Sequence, residues 1–304
     1  MGSFAAGRRR ILQPMPVPPP AATMLIVGDM HRHWRTADRS YLESGDQDIV
    51  VFVGDLGDED DELVRDVAAV DAHKAVILGN HDAWQSFSRR RPTRPLLNSL
   101  DALQDDHLAY GVRELPRAGV SLIGARPFSW GGPSLRSPEV YRRLYGVSSM
   151  EESADRIFEA ARSAQHRDLV ILGHNGPTGL SQEPQDIYGK DFGSTNGGDW
   201  GDPDLESAIS SITRSGWRVP CVIAGHMHDR TMKPRGARTR FVRRGPTLYV
   251  NPAVVPRIRQ VDGQTLGHYV RIQWSAGQLE RIEEIWVDAE GEIREIVEPN
   301  IHEG

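Results

Sequence analysis

The chain of 304 residues contains a single cysteine, Cys221. That excludes an internal disulfide framework and suits a reducing compartment. Cys221 lies in the apolar run 220–224, where a buried structural thiol is expected rather than a nucleophile. No apolar run approaches the ~18 residues that span a bilayer. A basic excess is missing as well: the net charge of -6 argues against a nucleic-acid partner. Residues 1–23 hold no acidic side chain and no apolar core of a secretory signal. They hold Arg8-Arg9-Arg10 and then Pro14, Pro16, Pro18, Pro19 and Pro20. This reads as a disordered extension, with Met24 opening a single folded domain over 24–304. The expected location is the cytoplasm, or a plastid if the extension is a transit segment, which its prolines fit badly.

What is present is a repeated pattern. Short apolar runs end in glycine followed by polar residues: Met24-Leu25-Ile26-Val27 before Gly28-Asp29-Met30-His31, and Ile49 to Val53 before Gly54-Asp55-Leu56-Gly57-Asp58. Lys74 to Leu78 precedes Gly79-Asn80-His81-Asp82, Asp168 to Leu172 precedes Gly173-His174, and Pro220 to Ala224 precedes Gly225-His226-Met227-His228. Helical stretches separate the early runs, so the spacing predicts βαβ crossovers and a parallel sheet. Each loop would then sit at the carboxyl edge, where open α/β sheets place their sites. Further strands are expected at 120–124, 239–243, 247–251, 269–274 and 279–287, with a hairpin turn at Gly277. Helices are expected near 139–145, 153–164 and 204–214, the last capped near Asp202 with Pro203 in its first turn.

Within these loops Asp29, Asp55, Asn80, His31, His81, His174, His226 and His228 offer two carboxylates, one amide and five imidazoles. Mixed Asp, Asn and His donors favour Mn, Fe or Zn over Mg or Ca. A shared carboxylate can bridge two cations, which together clamp a phosphoryl oxygen, lower the pKa of a bound water and stabilise charge during in-line displacement. Outside these loops, Arg126 follows an apolar strand. It is either a bidentate phosphate contact or a structural ion pair. The stretch 176–203, with Tyr188, Lys190, Asp199 and Trp200, starts beside His174. It is either part of a lid or a plain surface loop, and Lys190 is a candidate substrate contact. The basic run Arg89-Arg90-Arg91 with Arg94 reads as a solvated face or an attractor for an anionic substrate.

The ordered series Gly28-Asp29-x-His31, Gly54-Asp55-x-x-Asp58, Gly79-Asn80-His81-Asp82, Gly173-His174 and Gly225-His226-x-His228 resembles the calcineurin-like metallophosphoesterase superfamily over about residues 24–252. The loop sequences also resemble an uncharacterised cyanobacterial and plastid branch. The resemblance implies a two-sheet β-sandwich flanked by helices, a four-layer α/β/β/α fold with its site at one edge. It implies two metal ions, one held by Asp29, His31 and His228, the other by Asn80, His174 and His226, with Asp55 bridging. His81 would act at the leaving-group oxygen, and Asp82 would orient His81. Asp58 would shape the loop or support the site's residues from behind, without being a ligand. Protein Ser/Thr phosphatases of the superfamily carry arginines where this chain has Glu59 and Leu78, which favours a small phosphate mono- or diester as substrate. A non-catalytic scaffold and a nuclease are the alternatives.

Overall fold

A computed structural model describes residues 22–193 and 197–304. The Arg- and Pro-rich segment, read above as a disordered extension, lies outside the described residues as far as position 21. The chain then enters β1 (Ala22–Val27), two residues earlier than Met24. Next come α1 (Thr36–Ser44), β2 (Ile49–Phe52), α2 (Asp61–Ala68) and β3 (Lys74–Val76). These form the predicted crossovers, and β1, β2 and β3 are parallel neighbours. Then follow α3 (Trp84–Ser88), α4 (Arg94–Leu103), β4 (Val112–Leu115), β5 (Val120–Gly124), α5 (Pro138–Tyr145) and α6 (Met150–Arg162). The chain continues through β6 (Asp168–Gly173), α7 (Pro203–Arg214) and β7 (Arg218–Ala224). The remainder is β: β8 (Arg230–Met232), β9 (Arg235–Ala237), β10 (Phe241–Arg244), β11 (Thr247–Val250), β12 (Ile258–Val261), β13 (Gln264–Ser275), β14 (Gln278–Val287), β15 (Ile293–Val297) and β16 (His302–Glu303).

Among the described residues the strands make two seven-stranded sheets and one small hairpin, β8–β9. One sheet runs β15-β14-β13-β1-β2-β3, with β12 on β13; the other runs β16-β10-β11-β7-β6-β5-β4. Alternation along the strands explains the layers. In β1, Met24 and Ile26 join a cluster between the sheets that includes Leu122, Val170, Leu172, Cys221 and Ile223. Their neighbours Leu25 and Val27 face outward onto Leu42, Val64, Val67 and Leu96 of the helices. Across the molecule, Ile123, Leu169, Ile171 and Val222 pack on Ile157, Ala161, Leu205 and Ile212 of α6 and α7. Strands covered on both faces read as continuous apolar runs, which is why the sequence showed them so plainly. The result is the expected helix–sheet–sheet–helix stack. Cys221 is buried in β7, and burial raises its thiol pKa, as expected of a structural thiol. Among the described residues no helix is long and apolar enough to cross a membrane.

Candidate metal centre

The parallel strands β1, β2 and β3 end at one edge of the first sheet, and β6 and β7 end at the matching edge of the second. The turns that follow bring Asp29, His31, Asp55, Asn80, His174, His226 and His228 together. Three sets of donor atoms lie mutually within 4.8 Å: Asp29/His31/His228, Asp55/His174/His226 and His31/Asp55/His81. Asp55 sits between the first two sets. Its Oδ2 is 3.6 Å from His31 Nε2, and its Oδ1 is 3.3 Å from His174 Nε2. Asn80 Oδ1 is 2.9 Å from His174 Nε2. His31 Nε2 and His228 Nε2 face each other at 3.0 Å. Both rings have lowered pKa values, His228 to about 4, chiefly through burial, so they are neutral and available as donors at pH 7.

The backbone is bent to make these contacts. Asp55 and His226 take left-handed conformations, at φ 48° and 67°, which non-glycine residues seldom adopt. Glycine is required beside them. A Cβ on Gly79 would lie 2.2 Å from Asp55 Oδ1, and one on Gly225 would lie 2.0 Å from Asp29 Oδ1. At these two loops the glycine is a clearance for a carboxylate.

The electrostatics call for a cation. Burial, resisted by His174 and reinforced by Asp55, raises Asp29 to about 8. Burial would also raise Asp55, but His174, His81 and His31 together outweigh it and hold Asp55 well below the carboxylate range. Burial pulls His174 down, yet Asp55 and Asp29 overcome this and carry it to about 10. As an imidazolium, His174 donates from Nδ1 to the Val53 carbonyl at 2.7 Å and from Nε2 to Asn80. One carboxylate oxygen, Asp29 Oδ1, is buried with no hydrogen-bond partner, while Oδ2 accepts from the His226 amide at 3.0 Å. An orphaned carboxylate oxygen in company with neutral His31 and His228 fits a metal ion of the kind mixed N/O donors prefer.

His81 stands beside this cluster, its ring 4.8 Å from that of His31. The expectation that Asp82 orients it is corrected here. Asp82 is buried and uses both oxygens on backbone amides, Gly57 at 3.0 Å and Gly79 at 2.8 Å. It ties the Asp55 and Asn80 loops together. The carboxylate that holds His81 is Asp58, 2.6 Å from Nδ1. Glu59, where protein phosphatases carry arginine, is buried and accepts from the amides of Gln85 and Ser86.

Of its two expected settings, Arg126 takes that of a structural ion pair. It is 3 % exposed and lies between Asp202 at 2.9 Å and Asp204 at 2.7 Å, pinning the start of α7 to the end of β5. Asp202 is the residue before α7, as expected, but its side chain does not cap the helix; it accepts from Ser129 Oγ and pairs with Arg126. Lys190 lies over the Trp200 ring, 5.0 Å from its centre, and is not among the residues lining the cavity at the donor cluster.

That cavity holds about 210 Å³ and is lined by Asp55, His81, His226 and His228 together with Asp191, Phe192, Met227, Arg230 and Met232. Asp191, Phe192, Arg230 and Met232 escaped sequence reasoning; the Lys233-Pro234 turn between two short runs was the available hairpin signal. Arg238 also escaped it, with no signal in an arginine-rich stretch. It is buried and donates to the His228 carbonyl at 2.8 Å and to the carbonyls of Pro184, Asp186 and Gly189. It also pairs with Asp191 at 3.2 Å. Residues 184–191 are thereby fastened to the His228 loop, which sets Asp191 in the cavity wall. Ser194, Thr195 and Asn196 of the expected lid segment lie outside the described residues.

Two sheets between helix layers, with a histidine- and carboxylate-rich cluster at their carboxyl edge, define a metallophosphoesterase-type protein. The chain belongs to the calcineurin-like phosphoesterase family, whose profile matches residues 22–230. One solved crystal structure is similar at 15% identity and TM-score 0.54, covering 87% of this chain and 98% of its own. A protein of Thermus thermophilus is similar at 11% identity and TM-score 0.50, covering 88% and 99%. A dimetal phosphatase from Danio rerio aligns at 13% identity and TM-score 0.47, covering 88% and 96%. At these identities the first two likenesses bear on the fold alone. No curated protein matches the chain significantly.

Proposed function

We propose that the protein hydrolyses a small phosphate mono- or diester at a centre of two metal ions. The observation that carries this reading is Asp55, with one carboxylate oxygen toward His31 and the other toward His174. Asp29, His31 and His228 would hold one ion, Asn80, His174 and His226 the other, with Asp55 shared. Manganese, iron or zinc suits these donors. Ions bound there would polarise a phosphoryl oxygen and make water a stronger nucleophile at neutral pH.

The chain's own residues supply the rest. Asp58 accepts from His81 Nδ1 and fixes the ring, so that Nε2 faces the site and, in the imidazolium form, carries the second ring proton. Water adds to phosphorus as the P–O ester bond breaks, the Nε2 proton of the His81 imidazolium goes to the departing oxygen, and the proton shed by the water returns to Nε2. Asp82 and Arg238 hold the loops that carry these groups. Buried Glu59 offers no cation to a phosphate, which favours a small substrate over a phosphoprotein.

The manganese-loaded protein should hydrolyse an aryl phosphate or a bis-aryl phosphate and lose that activity to a chelator. Full metal loading without turnover of either ester would contradict the reading and favour a non-catalytic scaffold. His81→Ala should lower kcat by about 10²-fold, at the lower end for a general acid, with metal content unchanged. If His81→Ala emptied the centre, His81 would be a ligand instead.

Metal uptake at pH 7 should release protons, because Asp29 and His174 hold theirs at about 8 and about 10. A cation displaces them, so affinity rises with pH through the neutral range. Calorimetric titration with Mn in two buffers of different ionisation enthalpy reads this directly. Identical apparent enthalpies would mean no proton is displaced.

A further inference from the structure

A file of rings leads out of the candidate centre. The His228 and His31 rings are 4.9 Å apart, His31 and His81 4.8 Å, His81 and Trp84 5.0 Å, and Trp84 and Trp130 4.8 Å. Trp84 therefore packs beside His81, on the side away from His31 in the file. It is 45% exposed, an unusual surface for so large an apolar side chain. A single exposed hydrophobic residue needs no explanation, but this one is built into place. Its helix, α3, is held by the buried Glu59 carboxylate through the amides of Gln85 and Ser86. Its supporting ring, Trp130, is itself backed by Arg136, whose guanidinium carbon is 3.9 Å from the ring centre. A rigid indole with water-facing surface, next to the group that protonates the departing oxygen, is poised to receive whatever that oxygen carries.

We propose that Trp84 is the leaving-group subsite, and that the substrates this protein prefers are phosphoesters whose departing oxygen bears a planar aromatic ring. The inference rests on the phosphoesterase reading and specifies its substrate class. Stacking of a flat ring on an aromatic side chain is tolerant of ring identity and strengthens binding by about 10-fold or more. An alkyl ester gains nothing from the indole face.

The test compares two non-hydrolysable probes, benzylphosphonate and ethylphosphonate, in which CH₂ replaces the ester oxygen. Binding is measured by calorimetry on the manganese-loaded protein, for the wild type, Trp84→Ala and Trp84→Phe. The wild type should bind benzylphosphonate about 10-fold more tightly than ethylphosphonate. Trp84→Ala should abolish that preference while leaving ethylphosphonate affinity unchanged, and Trp84→Phe should keep most of it. In turnover of 4-nitrophenyl phosphate, Trp84→Ala should raise KM about 10-fold with a smaller change in kcat. A loss confined to kcat, or an equal loss with both probes, would make Trp84 a prop for His81 and overturn the proposal. No ring preference in the wild type would overturn it too. A ring preference that Trp84→Ala removes, in a protein that hydrolyses no ester, would uphold the subsite and defeat the hydrolase reading alone.

Discussion

Replacing Asp55 by alanine should empty the metal centre and stop turnover. Asp55 is the one side chain whose two oxygens face the two donor sets, at 3.6 Å from His31 and 3.3 Å from His174. Its removal takes away the shared anion and leaves each ion with three side chains. Metal ions contribute several kcal/mol of charge stabilisation, and a loss of roughly 4 kcal/mol corresponds to about a 10³-fold fall in kcat/KM. The chain should still fold, because Asp55 is one charge in a loop whose strand, β2, is anchored by Val50, Val51 and Phe52 in the cores. Metal analysis and kinetics on the same preparation separate the outcomes. An Asp55→Ala protein with full metal and normal turnover would remove Asp55 from the centre.

Arg126→Ala should cost stability, not substrate affinity. The guanidinium is buried between Asp202 and Asp204, and removing one member of a buried ion network leaves the other charges uncompensated, at about 3–5 kcal/mol. The sign of the pH dependence follows from Asp202. Burial already raises it to about 6, although Arg126 pulls it down. Without Arg126 the folded-state pKa rises further above the unfolded value, so the folded state binds protons more strongly than the unfolded chain. Stability from that group is present at low pH and lost as pH rises. The destabilisation should therefore be larger at pH 8 than at pH 5. Denaturant unfolding at the two pH values measures both the size and the sign. Unchanged stability together with a raised KM would restore Arg126 as a phosphate contact.

Arg126 marks where sequence reading stops. Its partners lie more than seventy positions later, and the choice between phosphate contact and ion pair turns on burial, which the strand before it does not reveal. Asp82 and Asp58 show the same limit at short range. Both are loop carboxylates near His81, and the family resemblance implied that Asp82 orients it. The left-handed turn at Asp58 brings that residue to His81 Nδ1 instead, while Asp82 turns inward to amides. Strand-borne groups were legible because a doubly covered strand announces its end with an apolar run and a glycine. That signal located Asp29, Asp55, Asn80, His174, His226 and His228 beside one another and fixed both sheets' central strands. Short edge elements carried no such signal. The hairpin β8–β9 has three residues per strand, and the basic run Arg89-Arg90-Arg91 falls in the exposed turn between α3 and α4. Trp84 and Arg238 matter through packing across distant loops, for which no local pattern exists.

The measurement closest to the central claim is anomalous diffraction from manganese-loaded crystals. The account requires two peaks about 3.5–4 Å apart, one beside Asp29, His31 and His228, the other beside Asn80, His174 and His226, with Asp55 between them. A single peak, or ions bound only elsewhere on the chain, would contradict it.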